Sequence, residues 1–124
     1  MRPIIGLLAA LLTSLSSPLW AEVQLLMAEE HGCVYCARWN DEIGDIYPKT
    51  PEGRTAPLVR YDLQREEAPA ELSMKVRFTP TFILVQDGTE IDRFEGYPGE
   101  DFFWGLLGMM LERSDIDLEE DDSL

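Results

Sequence analysis

Cysteine and histidine are scarce in this sequence, with two and one respectively among 124 residues. A single cysteine pair cannot form the network of disulfides that holds small secreted domains together, so chemistry is favoured over scaffold. A structural zinc site usually takes four cysteine or histidine ligands. Only His31 is left to join the cysteines. We therefore expect no metal and no cofactor, and a metal-binding carrier is the least favoured alternative.

Basic residues are also few, with 10 Lys and Arg against 24 Asp and Glu and a net charge of −14. Such a charge repels phosphate backbones and argues against nucleic-acid binding. Six of the acids lie in the last eleven residues, where no base occurs. A run of like charge is typical of a solvated segment. Residues 114–124 are therefore predicted to form an acidic, disordered tail.

Long apolar runs are missing except near the N terminus. There Arg2 precedes an apolar stretch over residues 4–12, which gives way to serines and then to Ala21. This order predicts a secretory signal peptide over residues 1–21, cleaved after Ala21. A retained membrane anchor is the alternative. Residues 22–113 are left for one domain, which is close to the usual domain size.

The rest of the chain alternates between strand and helix patterns. The order strand, helix, strand, helix, strand, strand, helix predicts an α/β fold, with a central mixed sheet covered by helices on both faces. The predicted strands are 23–28, 57–63, 81–85 and 90–95, and the predicted helices run from the cysteines to before Pro48, over 66–74 and over 100–111. Residues 49–53 are predicted to be a turn-rich loop.

Cys33 and Cys36 lie between a predicted strand and a predicted helix. On the first turn of a helix two sulfurs at this spacing can join, and the helix start stabilises a thiolate on the first of them. Cys33 is therefore predicted to attack a substrate disulfide and Cys36 to resolve the mixed disulfide. Haem attachment needs a histidine after the second cysteine, where Ala37 stands. An inert disulfide in a non-catalytic binding module stays open as an alternative.

Four neighbours are predicted to support the cysteine pair. His31 could stabilise the thiolate or move a proton, although an ordinary exposed loop histidine is an equal interpretation. Gly32 frees the backbone for a tight entry into the helix. Val34 and Tyr35 lie between the two cysteines, where Tyr35 could tune the pair or contact the substrate.

Thr79 and Pro80 precede the strongest strand pattern in the chain. Proline is tolerated at the start of a strand, and from spacing alone an ordinary trans proline is the commoner arrangement. A cis bond would instead leave the backbone of Thr79 free to pair with an incoming peptide.

Together these features resemble the thioredoxin superfamily: Cys33-x-x-Cys36 after a strand, Thr79-Pro80 before a strand, and Gly96 before the last helix. The resemblance implies a thioredoxin-like three-layer sandwich with a central mixed four-stranded sheet flanked by helices. It also implies that Pro80 is cis and faces Cys33, that Thr79 pairs with the substrate backbone, and that substrate approaches closely at Gly96.

Three longer runs resemble the SoxS family, the periplasmic thioredoxin-like proteins of bacterial sulfur oxidation: HGCVYCARW (31–39), RFTPTF (77–82) and EGYPGEDFFW (95–104). The resemblance implies a periplasmic enzyme that reduces or reshuffles disulfides on a sulfur-oxidation carrier protein. Electrons would come from a membrane thiol–disulfide transporter. Cytochrome-c maturation and general disulfide reduction or isomerisation are the alternatives within this class. We expect a monomer.

Two positions depart from ordinary thioredoxins. Met27 stands where they carry a buried aspartate, and Leu58 stands where they carry its lysine partner. The resemblance thus implies that Glu29, His31 or water takes the proton of the resolving thiol.

Overall fold

A four-stranded mixed sheet forms the centre of the fold in the computed structural model, which describes residues 22–119. The strands are β1 (Val23–Glu29), β2 (Leu58–Asp62), β3 (Thr81–Gln86) and β4 (Thr89–Glu95), in the order β2-β1-β3-β4. β1 runs parallel to β2 and antiparallel to β3, and β3 runs antiparallel to β4. The predicted mixed four-stranded sheet flanked by helices is therefore confirmed.

The helical layer covers one face of this sheet. It consists of α1 (Val34–Trp39), a π-helical turn (Asn40–Gly44), a 3-10 turn (Tyr47–Lys49), α2 (Pro51–Thr55) and α3 (Glu100–Arg113). Alternate residues of β1 point toward this layer, since side chains along a strand alternate between faces. Leu25 and Met27 are fully buried there against Trp39 and Phe103, in a core rich in tilted and edge-on aromatic pairs. The cysteine pair thus rests on the larger of two cores.

The other face is covered by an irregular segment, and the helix predicted over residues 66–74 is wrong. Leu26, Ile83 and Val85 are buried there beneath side chains from residues 63–76. Pro69 has no N–H to give a helix. The backbone of Glu71 pairs instead with the β3–β4 hairpin, donating to Gly88 O at 2.8 Å and accepting from Glu90 N at 2.9 Å. Those tertiary hydrogen bonds replace the ones a helix would have made.

The loop predicted over residues 49–53 is also partly helical. Pro51 opens α2, and Thr50 caps it by accepting from Gly53 N at 3.0 Å. Proline suits the first turn of a helix because its missing N–H is not needed there. The helix predicted from the cysteines toward Pro48 changes character earlier, since α-helical geometry ends at Trp39 and the π-helical turn follows. Pro48 itself lies in the 3-10 turn.

The predicted signal peptide, residues 1–21, lies outside the described residues. The predicted tail lies partly inside them: Ile116 packs against the main core, and Glu119 N donates to Thr55 Oγ1 at 2.7 Å. Residues 120–124 lie outside. Among the described helices, none combines the length and apolar composition needed to cross a membrane.

Candidate active site

The cysteine pair lies at the junction between β1 and α1. β1 ends at Glu29, and Gly32 has a φ of +82°, a left-handed conformation that glycine adopts without strain. Cys33 then takes the cap position of α1. Its Sγ accepts a hydrogen bond from the backbone N–H of Cys36 at 3.1 Å. The two cysteines are joined as a disulfide, with their Cα atoms 5.2 Å apart.

The two sulfurs differ in their access to solvent. Cys36 is 4% exposed and belongs to the main core, whereas Cys33 is only half-buried at its edge. Val34 and Tyr35, between them, are 76% and 57% exposed. A substrate disulfide can therefore reach Cys33 beside an apolar rim, whereas Cys36 is almost fully shielded from solvent.

An open cavity of about 290 Å³ lies beside the pair and is lined mainly by polar side chains. Its walls are Glu29, Glu30, His31, Gly32, Cys33, Cys36, Ala37, Asn40, Asp62 and Arg65. Within residues 22–119, the buried Oδ1 of Asn40 has no hydrogen-bond partner. Glu29 pairs with Arg60, their Oε2 and Nη1 being 2.9 Å apart. The cavity thus places His31 and Gly32 beside the cysteines, together with several carboxylates.

The predicted substrate-binding residues form a second wall. The Thr79–Pro80 peptide bond is cis, and Pro80 O accepts from Gly96 N at 2.7 Å. Gly96 has a φ of +85°, again a conformation for which glycine is suited. Among the described residues, the main-chain N–H and C=O of Thr79 have no backbone partner. A groove of about 360 Å³ joins Gly96 to Tyr35. The structure therefore gathers the predicted residues along one rim of the sheet.

The family comparison agrees with this geometry. The sequence model of the thioredoxin-like domain matches residues 21–110, most of the chain. The chain belongs to the thioredoxin-like family. It is a thiol–disulfide oxidoreductase of the thioredoxin type, with its cysteine pair at the start of α1. None of the curated proteins matches the chain.

Solved structures give the same assignment. The reduced form of the periplasmic thioredoxin SoxS from Paracoccus pantotrophus is 49% identical, with a TM-score of 0.72 over 75% of this chain and 99% of that one. Fasciola hepatica thioredoxin is 22% identical, with a TM-score of 0.55 over 72% and 81% of the two chains. Malassezia sympodialis thioredoxin is 21% identical, with a TM-score of 0.54 over 72% and 75%. The last two show the fold alone.

The thioredoxin-like site of this chain carries a charged pair at a shifted position. Met27 and Leu58 are apolar and supply no charge. Met27 is fully buried, and Leu58 packs against the same core. The ion pair between Glu29 and Arg60 lies two residues further along each of the same two strands. Arg60 also lies over the ring of Trp39, 5.5 Å from its centroid. The charged pair therefore lies at the mouth of the cavity and not inside the core.

Glu30 is a contact residue of the site that the sequence did not reveal. Its backbone O accepts from Cys33 N at 3.3 Å. Its Oε1 accepts from Thr79 Oγ1 at 3.0 Å, and its Oε2 accepts from Gln64 Nε2 at 2.9 Å. These partners lie up to 49 residues away along the chain, so no local pattern could have indicated them.

A second tie, also unforeseen, connects the helix of the cysteines to the loop of Gly96. The hydroxyl of Tyr97 donates to Glu42, and the other Glu42 oxygen accepts from Arg38 Nε at 2.8 Å. Hydrogen bonds from Tyr97 and Arg38 lower the pKa of Glu42 below its ordinary value. Burial and the bond to Glu42 raise the pKa of Tyr97, so this hydroxyl remains a donor at neutral pH.

Proposed function

We propose that this protein is a periplasmic dithiol oxidoreductase in which Cys33 attacks substrate disulfides and Cys36 resolves them. The observation that carries the assignment is the difference between the two sulfurs. Cys33 is accessible and its Sγ already accepts a backbone N–H, whereas Cys36 is 4% exposed. A donor aimed at sulfur stabilises the thiolate, which is the nucleophile.

Reduction of a substrate disulfide takes two successive thiol–disulfide exchanges. The Cys33 thiolate attacks one sulfur of the substrate disulfide, the substrate S–S bond breaks, and the other substrate sulfur leaves as a thiolate. The Cys36 thiol then loses its proton, and its sulfur attacks Cys33. The mixed disulfide breaks, the second substrate thiolate leaves, and the Cys33–Cys36 disulfide of the structure forms. Two electrons pass from the dithiol to the substrate.

The proton of Cys36 needs an acceptor within reach of the cavity. Both carboxylate oxygens of Glu30 are already hydrogen-bonded, whereas among the described residues the carboxylate of Glu29 uses only Oε2, in its ion pair with Arg60. Glu29 lies on the same face of β1 as Met27, and Met27 packs with Cys36 in the main core. We assign the acceptor role to Glu29, acting through water in the cavity, with His31 as the alternative on the exposed side.

The wall formed by Thr79, Pro80 and Gly96 favours an extended peptide as the substrate. The unpaired main chain of Thr79 can pair with a substrate backbone beside its disulfide. Gly96 places no side chain in the way, and the groove between Tyr35 and Gly96 continues the path of the peptide. His31, Gly32 and Val34 would border the bound peptide at the start of α1.

The likeness to SoxS supports the cellular role. That protein is described as a periplasmic thioredoxin, and the 49% identity extends over nearly its whole length. We propose that this chain is exported by a cleaved signal peptide over residues 1–21. It would act on a disulfide of a sulfur-oxidation carrier protein and receive its electrons from a membrane thiol–disulfide transporter.

A trapping experiment with Cys36→Ser tests the proposal. Without its resolving thiol, Cys33 stalls as a mixed disulfide with the protein it attacks. Expression in the native host under sulfur-oxidising conditions, followed by non-reducing electrophoresis and mass spectrometry, is expected to identify a sulfur-oxidation carrier. Cys33→Ser is the matched control and should trap nothing.

The other outcomes of this experiment are equally informative. Capture of cytochromes or of many unrelated proteins would keep the enzyme and replace its substrate by the general reductase or cytochrome-maturation alternative. No captured partner, combined with slow alkylation of Cys33, would refute the oxidoreductase mechanism and leave a binding module with a structural disulfide.

A further inference from the structure

We propose that Glu30 is a positioning residue that fixes the main chain of Thr79 relative to Cys33, and so determines the affinity for peptide disulfides. The inference rests on the proposed function, because it requires that a substrate backbone pairs at Thr79. It assigns to Glu30 an effect on the binding of peptides and none on the intrinsic reactivity of Cys33.

The contacts of Glu30 connect the two halves of the site. Its backbone O holds the N–H of Cys33, while its carboxylate accepts the Thr79 hydroxyl at 3.0 Å. Hydrogen bonds to a carboxylate are stronger than those between neutral groups. One residue thus contacts both the nucleophile and the residue proposed to pair with substrate.

The main chain of both neighbours of Thr79 is held, since Thr81 Oγ1 donates to Phe78 O at 2.7 Å and Gly96 N donates to Pro80 O. No helix or strand occurs between β2 and β3, a segment that runs from residue 63 to residue 80. On its C-terminal side Thr79 is followed by Pro80, whose O is held by Gly96 N at 2.7 Å. Among the described residues, the side chain of Thr79 makes one hydrogen bond, in which its Oγ1 donates to Glu30 Oε1. Loss of that bond removes the side-chain hydrogen bond that connects Thr79 to the loop of Cys33, and so loosens the position of the pairing backbone relative to Cys33.

The other carboxylate oxygen of Glu30 is tied as well. Gln64 donates to it at 2.9 Å from the turn after β2. With both oxygens occupied, the carboxylate cannot rotate away from Thr79 without losing a bond. Gln64 therefore supports the orientation of Glu30 but does not touch Thr79.

A double-mutant cycle tests the inference. Thr79→Val removes the hydroxyl and keeps the shape and the main chain, whereas Glu30→Ala removes the acceptor. Each is expected to raise KM for a peptide disulfide by about tenfold, the usual effect of losing one hydrogen bond to a charged group. The double variant should match the single variants, because both remove the same contact.

The substrate supplies the discriminating readout. Bis(2-hydroxyethyl) disulfide has no peptide backbone to pair, so Glu30→Ala should lose far less activity on it than on the peptide disulfide. Glu30→Gln keeps one oxygen as acceptor and should restore most of the affinity for peptide. Glu67→Ala is the matched control, with an expected KM within about twofold of wild type, because this exposed carboxylate lies outside the cavity.

Three results would overturn the inference. One is independent, multiplying effects of Glu30→Ala and Thr79→Val on KM. Another is a parallel loss on the small disulfide, which would place the effect on Cys33. The third is a wild-type KM for the peptide in Thr79→Val, the variant that keeps the packing of the loop. If the wild-type protein reduces neither substrate, the proposed function itself fails, and that result is separate from these three.

Discussion

At the scale of single residues, the surroundings of the two cysteines differ in the way that the proposed roles of attacking and resolving thiol require. Cys33 lies at the solvent edge with a backbone donor on its sulfur, and Cys36 lies in the core. A thiol held away from water is harder to ionise, so the resolving step depends on a base more than the first attack does. Glu29 and Cys36 both line the cavity.

Replacing Glu29 by glutamine is expected to slow the resolving step by at least about tenfold, a modest general-base effect. The first attack should be unchanged, because Glu29 does not contact Cys33 in the described hydrogen bonds. Rapid acid quenching follows the decay of the mixed disulfide and measures the rate of the resolving step. Alkylation of Cys33 by iodoacetamide measures the reactivity on which the first attack depends.

Glu67→Gln is the control, since it removes one negative charge from an exposed position outside the cavity. A wild-type resolving rate in Glu29→Gln would contradict the assignment. If His31→Gln showed the loss instead, histidine would be the acceptor.

The sequence predicted those site residues whose signal is local. Cys33 and Cys36 are three positions apart, and Thr79-Pro80 is a dipeptide, so each could be read as a short pattern. Glu30 gave no such signal, because its side-chain partners lie 34 and 49 positions away. A carboxylate in a polar loop is ordinarily solvated, and only the folded chain shows which hydroxyl it accepts.

At the scale of elements, prediction succeeded where the pattern and the tertiary contacts agree. Residues 82–85 of strand β3 are apolar and buried on both faces, as the sequence indicates. The segment over residues 66–74 shows the opposite case. Its composition weakly favours a helix, but Pro69 and the pairing of Glu71 with the hairpin decide for an extended, irregular path. Hydrogen bonds to a distant hairpin are invisible to local propensity.

Two glycines in helices differ in the space around them, and this predicts opposite effects of alanine. A Cβ at Gly105, on the exposed side of α3, meets no other atom. Gly105→Ala should therefore stabilise the fold by about 0.5–1 kcal/mol, because alanine loses less backbone entropy in a helix. A Cβ at Gly53 in α2 would overlap the carbonyl of Tyr47, so Gly53→Ala should destabilise the fold by about 2 kcal/mol.

Guanidinium unfolding followed by circular dichroism measures both changes in the free energy of unfolding. The two variants carry the same chemical change, so each controls for the other. Equal effects of the two substitutions would show that the close approach of α2 to Tyr47 is absent in solution.

The tie between the helix and the Gly96 loop predicts a dependence of stability on pH. Because the pKa of Glu42 is lowered in the folded state, its contribution is present above its ordinary value of 4.5 and is lost as the pH falls through the folded value. Glu42→Gln should therefore lower Tm most near neutral pH. The difference in Tm from wild type should shrink between about pH 5 and about pH 3.

Thermal unfolding at a series of pH values measures this difference. Arg54→Gln, which alters a charge outside this tie, is the control. A difference in Tm that stays constant down to acid pH would mean that the contacts of Glu42 with Tyr97 and Arg38 contribute no charge-dependent stability.

At the scale of the whole molecule, the two faces of the sheet are covered by different kinds of structure. The helical face carries the aromatic core on which α1 rests, and it holds Cys36 in place. The other face is closed by the irregular segment that ends at Thr79 and Pro80. In the proposed mechanism the nucleophile thus comes from the helical layer and the substrate-pairing backbone from the irregular one, and Glu30 contacts both.

The net charge of −14 extends its influence beyond any single contact. Three acids, Glu29, Glu30 and Asp62, line the cavity beside the cysteines, against His31 and Arg65. A field of this sign attracts basic peptides and repels acidic ones, and salt screens it over about 8–10 Å at ordinary ionic strength.

Two peptides with the same disulfide, one flanked by lysines and one by glutamates, should therefore differ in kcat/KM. The lysine peptide should react about tenfold faster at low salt, and the two rates should converge near 1 M salt. Stopped-flow measurement of both peptides tests this, with the uncharged bis(2-hydroxyethyl) disulfide as the salt-insensitive control. A preference that persists undiminished at high salt would instead place specificity in short-range contacts along the wall of Thr79 and Gly96.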